Sequence, residues 1–183
     1  MTELIATTKE LLQQVESSWG IEFEKALKQF VTFARQQPEA FDDMLVEELE
    51  AQYQAFKADE SFTGATEYAL ICALWERPTP KAVPVLCKIL VEDPESGREE
   101  IAQIMRDVGD PRAVKPLLAV LETLDDEVDE GGHLRSGIAE ALGAIGEPSA
   151  LHALHRLEAT PSADGKKIAH YVKWAIEQLE NET

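Results

Sequence analysis

The sequence contains few of the features that mark secreted or membrane proteins. It has 2 cysteines in 183 residues, and neither "ALICALW" around Cys72 nor "VPVLCKIL" around Cys87 shows the paired spacing of a zinc or redox motif. We therefore interpret both cysteines as reduced core thiols. No apolar run reaches the roughly 18 residues that a membrane helix needs, and the opening stretch "MTELIATTKE" lacks the basic and apolar segments of a signal peptide. These absences predict a soluble protein of the cytoplasm.

Basic residues are also scarce. The chain has 17 Lys and Arg against 35 Asp and Glu, which gives a formal net charge of −18. A surface of this charge repels the phosphate backbone of nucleic acids and anionic membranes, so we expect no binding to either. The charge favours protein partners, basic ones among them. The alternative is that the charge only keeps a small domain soluble.

Alternating apolar and polar residues, the pattern of β-strands, are missing as well. Instead, the apolar residues among the first 60 positions recur every three or four residues, which predicts amphipathic helices. Breaks in this pattern near residues 19–20, 37–38 and 59–64 divide the segment into three helices. With 44% hydrophobic residues, a chain of this length buries enough surface to fold without disulfides. We interpret residues 1–64 as an N-terminal helical cap.

A short phrase that occurs three times organises the rest of the chain. It is written "TPKAVPVL" at 79–86, "DPRAVKPL" at 110–117 and "EPSALHAL" at 147–154, and its prolines lie 31 and 37 residues apart, within the range of helical repeats. A glycine can end the helix before the phrase, an Asp can cap the helix after it, and proline suits the first turn of that helix. Residues 166–179 repeat only the first-helix pattern, as a terminal cap would. The pattern predicts an all-α fold, an α-solenoid of helical hairpins over residues 65–183 that forms one continuous domain with the N-terminal cap.

Two of these hairpins carry a family resemblance. The stretches "IAEALGAIGEPSALHALHRL" and "IAQIMRDVGDPRAVKPLLAVL" resemble the HEAT-like repeats of the phycobilisome (bilin) lyase type, and the resemblance covers about residues 65–180. The first repeat departs from the pattern, because Pro78 and Thr79 stand where the family has Gly and Asp. The resemblance implies a right-handed stack of HEAT-like hairpins that binds proteins. Some members assist the attachment of bilins to phycobiliproteins, usually as one subunit of a pair, but no catalytic residue of the family maps onto this chain.

No motif in the sequence assigns a catalytic or metal site. The acidic run "ETLDDEVDE" at 122–130 fails the register of a calcium loop, because its sixth and twelfth positions from Asp125 are Glu130 and Ser136, so we interpret it as a solvated loop. Gly-x-Ser-x-Gly is absent. Iron-binding HEAT proteins of the deoxyhypusine hydroxylase type resemble this fold but use His-Glu pairs, and no histidine here is followed by Glu: His133, His152, His155 and His170. We expect no metal, no cofactor and no catalytic residue, which favours a non-catalytic protein.

The side of the second helices that faces away from the apolar stripe lacks acidic residues. At 100° per residue, the positions on this side fall into three equivalent sets. They are Lys81, Pro84 and Lys88; Arg112, Lys115 and Ala119; and Ser149, His152 and Arg156. We predict a neutral-to-basic groove for an acidic protein surface or a carboxylate group, which Arg112 could hold through paired hydrogen bonds. The alternative is that these bases only offset acids from neighbouring loops, the 122–130 run included.

The last helix offers a second candidate surface. Trp174 lies well away from the stripe formed by Ile168, Val172 and Ala175, with Tyr171 on the flank between them. An exposed tryptophan at the end of a repeat stack can anchor a partner. The alternative is structural: Tyr171 packs beside the preceding repeat and Trp174 covers the open end.

Three functions fit these patterns. The first, which we favour, is a protein-binding scaffold or adaptor that uses the second helices. The second is a bilin lyase subunit or chromophore-handling chaperone for phycobiliproteins, which rests on the family resemblance. The third is an acidic inhibitor or immunity-type protein that binds a basic partner, which rests on the net charge.

Overall fold

The structure, a computed structural model, describes residues 2–58, 64–94, 96–124, 132–159 and 165–181. Regular structure within these ranges is helical throughout, and no described residue lies in a strand. The ten α-helices of the described residues are α1 (Thr2–Glu16), α2 (Ile21–Arg35), α3 (Phe41–Ala58), α4 (Ala65–Glu76), α5 (Val83–Glu92), α6 (Arg98–Val108), α7 (Val114–Thr123), α8 (His133–Ile145), α9 (Leu151–Ala159) and α10 (Gly165–Asn181).

The recurring phrase forms the turn before each second helix. Each turn is a short 3-10 helix: Pro80–Ala82 before α5, Pro111–Ala113 before α7 and Pro148–Ala150 before α9. Gly109 and Gly146 end the preceding helices with φ of 67° and 80°, a left-handed conformation that glycine adopts without steric cost. The Asp110 carboxylate accepts a hydrogen bond from the backbone N–H of Arg112 at 2.9 Å. Glycine stops and an Asp cap were predicted at these turns, and both are present.

By its contacts the chain divides into two compact units, unit 1 (residues 1–85) and unit 2 (residues 86–183). The boundary falls inside α5. We predicted a division between residues 64 and 65 because the sequence repeats begin there. The division between residues 85 and 86 instead reflects which helices pack against each other. The helix α4 falls in unit 1 because it packs against α1, α2 and α3.

The core of unit 1 forms where α2, α3 and α4 meet. Its largest fully buried side chains come from all three of these helices, as the apolar periodicity of the sequence requires. They include Phe30, Phe41, Leu45, Leu49, Leu70, Ile71 and Leu74.

Arg77, which follows α4, joins three segments of unit 1. Its Nε donates to the Oδ1 atom of Asp42 at 2.8 Å, and its Nη2 lies 2.7 Å from the same oxygen. Its Nη1 donates to the carbonyl of Gln37 at 2.8 Å, and its Nη2 donates to that of Pro38 at 3.1 Å. The side chains of Arg77 and Asp42 are only 14% and 12% exposed. The guanidinium therefore ties the end of α2 and the start of α3 to the end of α4.

Unit 2 stacks its helices in two layers. The helices α6, α8 and α10 lie side by side with α8 in the middle, while α7 packs against α8 and α9 packs against α10. The buried residues of these helices are the small and aliphatic ones that match between the repeats, among them Ala102, Met105, Ala113, Leu117, Ala139, Leu142, Ala150 and Leu154. The predicted fold class, an all-α chain of stacked helical hairpins of the α-solenoid type, is confirmed.

The helices α8 and α10 approach each other closely at Gly143. A Cβ atom built at Gly143 would lie 2.8 Å from the Cα of Ala175 and 2.9 Å from the Cζ3 of Trp174. Side-chain carbons do not approach other heavy atoms this closely, so only glycine fits between the two helices at this point.

Candidate functional site

The predicted side of the second helices faces solvent. Every predicted position on it is exposed, since Ala113, Val114 and Leu117 and their equivalents turn inward. Lys81 and Pro84 belong to unit 1. The remaining positions lie in unit 2, and we call them the second-helix face: Lys88, Arg112, Lys115, Ala119, Ser149, His152 and Arg156.

Two bases of the second-helix face form ion pairs with nearby acids. The Nη2 of Arg112 donates to Asp110 at 2.7 Å, and its Nε lies 3.0 Å from both carboxylate oxygens. Asp110 therefore already accepts the paired guanidinium hydrogen bonds that we predicted for a ligand carboxylate. Hydrogen bonds from Arg112 lower the pKa of Asp110. The Nη2 of Arg156 lies 2.9 Å from the Oε1 of Glu122, which starts the 122–130 run.

Lys81 in unit 1 is paired in the same way. Its Nζ lies 2.6 Å from the Oδ1 of Asp43 on α3, and this hydrogen bond raises the pKa of the lysine. Local acids therefore offset the charge of three predicted bases, Lys81, Arg112 and Arg156.

The two ion pairs of the second-helix face differ in exposure, because the Asp110 side chain is 15% exposed. The side chains of Arg156 and Glu122 are both more than half exposed, and ion pairs in such positions contribute about 0 to 1 kcal/mol because water competes for both groups. A carboxylate of a partner could replace Glu122 at little cost. Lys115 on α7 and His152 on α9 are exposed on the same face.

The aromatic pair on α10 is partly exposed. This exposure does not distinguish a partner anchor from residues that pack at the end of the repeat stack. Tyr171 is 36% exposed and Trp174 is 37% exposed. The indole of Trp174 lies over Gly143 of α8. The alternative interpretation, in which Tyr171 packs beside the preceding repeat and Trp174 covers the open end, stays a prediction. The rings of Tyr171 and His170 meet in a T-shaped arrangement, with ring centroids 5.7 Å apart. Ile168 lies among residues whose side chains the structure does not describe.

Tyr171 also lines a cleft that the sequence patterns did not predict. The cleft has a volume of about 630 Å³ and is formed by α6, α8 and α10. Its lining is mostly polar and consists of Glu99, Gln103, Arg106, His133, Ser136, Gly137, Glu140, His170 and Tyr171. In the sequence, these polar residues recur three or four positions apart on the first helices. Any solvated helix face shows the same pattern, so the pattern could not identify the cleft.

The charges inside this cleft are partly paired. The Nη1 of Arg106 lies 3.0 Å from the Oε2 of Glu140, and its Nε lies 2.9 Å from the Oδ1 of Asp107. Hydrogen bonds to Asp107 and Glu140 raise the pKa of Arg106. Within the described ranges, no three His, Cys, Asp or Glu side chains are grouped so that they could hold a metal ion.

The acidic run at 122–130 lies largely outside the described residues. Only Glu122, Thr123 and Leu124 are described there. The interpretation of this run as a solvated loop stays a prediction.

Neither cysteine is in a disulfide. Cys72 is buried, while Cys87 is partly buried with its Sγ 4.0 Å from the carbonyl oxygen of Arg112. Burial raises the pKa of the Cys87 thiol from 9.0 to about 11.

We expect Cys87 to react slowly with alkylating agents, because only the thiolate is nucleophilic. In a Cys72→Ala variant, the rate of reaction with iodoacetamide at pH 8 should be about 100-fold below that of a free thiol of pKa 9.0. The rate should still be rising between pH 9 and pH 11. A rate at pH 8 equal to that of N-acetylcysteine would contradict the raised pKa.

Comparison with known proteins supports the repeat architecture. Residues 134–159, which cover α8 apart from His133 and the whole of α9, match the PBS lyase HEAT-like repeat family. The chain is 33% identical over 84 residues to the deoxyhypusine hydroxylase of Schizosaccharomyces pombe, a match that covers 46% of this chain and 25% of that protein. The chain thus spans about a quarter of the length of this relative. No solved structure matches the chain at a significant level.

The family match confirms the predicted resemblance to the PBS lyase HEAT-like repeats for the hairpin at residues 134–159. It also agrees with the stacking of hairpins in unit 2. None of the described helices is long and apolar enough to cross a membrane.

Proposed function

We propose that this protein is a non-catalytic scaffold or adaptor that binds a protein partner through the second-helix face of unit 2. The observation that carries the proposal is that this face is exposed along three successive second helices and carries no acidic residue, although the chain has twice as many acids as bases. The acids that approach the face, Asp110 and Glu122, are paired with its arginines. An acidic patch on a partner could exchange with the exposed Glu122.

Position and spacing both support a protein as the ligand. The turn before α7 contacts α5 within unit 2, since the Sγ of Cys87 lies 4.0 Å from the Arg112 carbonyl. The pair of Arg156 with Glu122 joins α9 to α7. The face is therefore continuous across the three helices. A continuous surface built from successive repeats is the form in which solenoid proteins bind extended partners.

We do not propose the activity of the hydroxylase relative for this chain. The match covers a quarter of that protein, and none of the four histidines here is followed by the Glu that the His-Glu pairs of such enzymes require. His155, for example, lies 3.7 Å from Glu158 and 3.7 Å from Glu180, which places it between two exposed acids on α9 and α10.

Reversing charge on the second-helix face should weaken partner binding. We expect a Lys115→Glu, Arg156→Glu variant to weaken the affinity for the partner at least tenfold, because two cations become anions that face the same acidic surface. The partner is first identified by affinity capture from the native host with mass spectrometry. Its dissociation constant is then measured with purified proteins by calorimetry.

A matched control separates this local effect from net charge. Lys9 on α1 and Lys173 on α10 are exposed and lie off the face, and reversing both to Glu changes the net charge by the same amount. The control should bind like the wild type, and both variants should keep their helicity and melting temperature, since exposed substitutions cost little. Full affinity in a folded Lys115→Glu, Arg156→Glu variant would exclude the second-helix face.

The same variants distinguish the two other functions. A basic partner, as expected for an inhibitor or immunity-type protein, should bind more tightly when lysine or arginine becomes Glu, and its association rate should fall steeply with salt. A bilin-handling role predicts a covalent fluorescent adduct when the chain is co-expressed with a phycobiliprotein and free bilin. Absence of both an adduct and a complex would exclude that role.

A further inference from the structure

The turn between α1 and α2 exposes two large apolar side chains. Trp19 is 80% exposed and Ile21 is 70% exposed, whereas every other exposed large apolar side chain among the described residues is 36 to 44% exposed. Scattered apolar residues on a surface are ordinary, but two that lie two positions apart at this level of exposure keep a large apolar area in water. Tryptophan is also the residue most enriched at the energetic centres of protein interfaces.

The turn that carries these side chains is held by local hydrogen bonds. The hydroxyl of Ser17 donates to the carbonyl of Gln13 at 2.8 Å, and the hydroxyl of Ser18 donates to that of Gln14 at 2.6 Å. On the other side, the backbone N–H of Glu24 donates to the carbonyl of Gly20 at 3.2 Å. An ordered turn presents its side chains with less entropy to lose on binding.

A groove on α2 continues from this turn. Its volume is about 520 Å³, and it is lined by Lys25, Lys28, Gln29, Thr32, Phe33 and Gln36. At 100° per residue, most of these positions share one side of the helix with Ile21. The ring of Phe33 is fixed edge-on against Phe41 at a centroid distance of 5.9 Å. The apolar turn and the groove thus form one surface of unit 1, which we call the α2 surface.

The charge of the α2 surface indicates its partner. The groove contains two exposed lysines and no acid, in a chain of net charge −18. Lys25 pairs with Glu22 at 2.7 Å, but both side chains are well exposed, so this pair is weak. Glu22 offsets part of the charge of Lys25, and Lys28 adds a second cation to the groove, so the groove itself is lined by cations that could face the carboxylates of a partner.

A second copy of the chain fits this surface poorly. A twofold contact places the same patch on both subunits, so that the lysine-bearing grooves would face each other. An anionic membrane would be repelled by the net charge of the whole chain.

We propose that the α2 surface is a docking site for an acidic, amphipathic segment of a partner protein. Apolar side chains of the segment cover Trp19 and Ile21, and its carboxylates face Lys25 and Lys28. This site is separate from the second-helix face, and the proposal does not rest on the function proposed for that face.

The test uses a displayed library of random peptides of about 16 residues, a length that matches α2. Peptides are selected on the full chain and then synthesised. We expect the selected peptides to carry more Asp and Glu than Lys and Arg, together with several large apolar residues. Trp19→Ala and Lys28→Glu should each weaken their binding at least tenfold.

Matched variants serve as controls. Val91→Ala removes another exposed apolar side chain, and Lys9→Glu reverses another exposed lysine. Both should leave peptide affinity unchanged. Selected peptides that bind Trp19→Ala as tightly as the wild type, peptides of basic composition, or a selection without any binder would each overturn the proposal.

Two further measurements test whether a membrane or a second copy of the chain occupies the α2 surface instead. In a Trp75→Phe, Trp174→Phe background the emission reports Trp19 alone, and it should shift to shorter wavelength with the selected peptide. It should stay unchanged with vesicles of phosphatidylcholine or of phosphatidylcholine with phosphatidylserine, and with rising protein concentration. A shift caused by vesicles, or by self-association seen in sedimentation, would assign the α2 surface to a membrane or to a second copy instead.

Discussion

Replacing Arg77 with Met is expected to lower the free energy of unfolding of unit 1 by about 3 kcal/mol or more. The substitution removes the partner of the buried Asp42 carboxylate, which leaves a charge without compensation in a site that is 12% exposed. It also removes the donors to the carbonyls of Gln37 and Pro38. Because Pro38 is exposed and Gln37 is half-buried, water can reach these carbonyls, and the main loss comes from the unpaired Asp42 carboxylate. Urea denaturation followed by circular dichroism measures the change.

The control for this prediction is the exposed ion pair of the same unit. Arg35 pairs with Glu76 across α2 and α4, and the arginine side chain is largely exposed. Arg35→Met should therefore cost less than about 1 kcal/mol. A double-mutant cycle of Arg77→Met with Asp42→Leu should show strong coupling, because losing both partners is less harmful than losing one. Equal effects of the two arginine substitutions would show that Arg77 is not a structural hub.

Gly143→Ala is expected to destabilise unit 2 by about 1 to 3 kcal/mol. The added Cβ would meet the Cα of Ala175 at 2.8 Å and the indole of Trp174 at 2.9 Å. A backbone atom cannot rotate out of the way, so α8 and α10 must move apart along their shared interface. The loss outweighs the gain in helix propensity, which is at most about 1 kcal/mol. Thermal unfolding measures the change, with the Trp174 emission as a local reporter in a Trp19→Phe, Trp75→Phe background.

Gly137 on the same helix provides the matched control. An added Cβ there would lie 3.6 Å from the Cβ of Ala102, which is an ordinary contact. Gly137→Ala should therefore be neutral or should stabilise the chain by up to about 1 kcal/mol. If the two substitutions change stability equally, the close approach of α8 and α10 is not the cause.

The candidate sites show where prediction from the sequence ended. Helical angles placed Arg112, Lys115 and Arg156 on an exposed face, and they are exposed. The same angles could not show that Arg156 meets Glu122, because these residues lie 34 positions apart and on different helices. The cleft beside Tyr171 was missed for the same reason, since three helices that are separate in the sequence contribute its walls.

The sequence by itself determined the helices, the turns and the pairing of helices into hairpins. The signals for these elements are the apolar periodicity, the glycines that end helices, the Asp110 cap and the prolines. Each acts over a few residues, so each can be recognised from the local sequence alone. Only the tertiary structure decided that Arg77 joins three segments, that Gly143 must be small and that Trp19 and Ile21 stay in water. Each of these depends on whether distant residues come to lie beside a side chain, and that is set by how the helices pack rather than by any local preference.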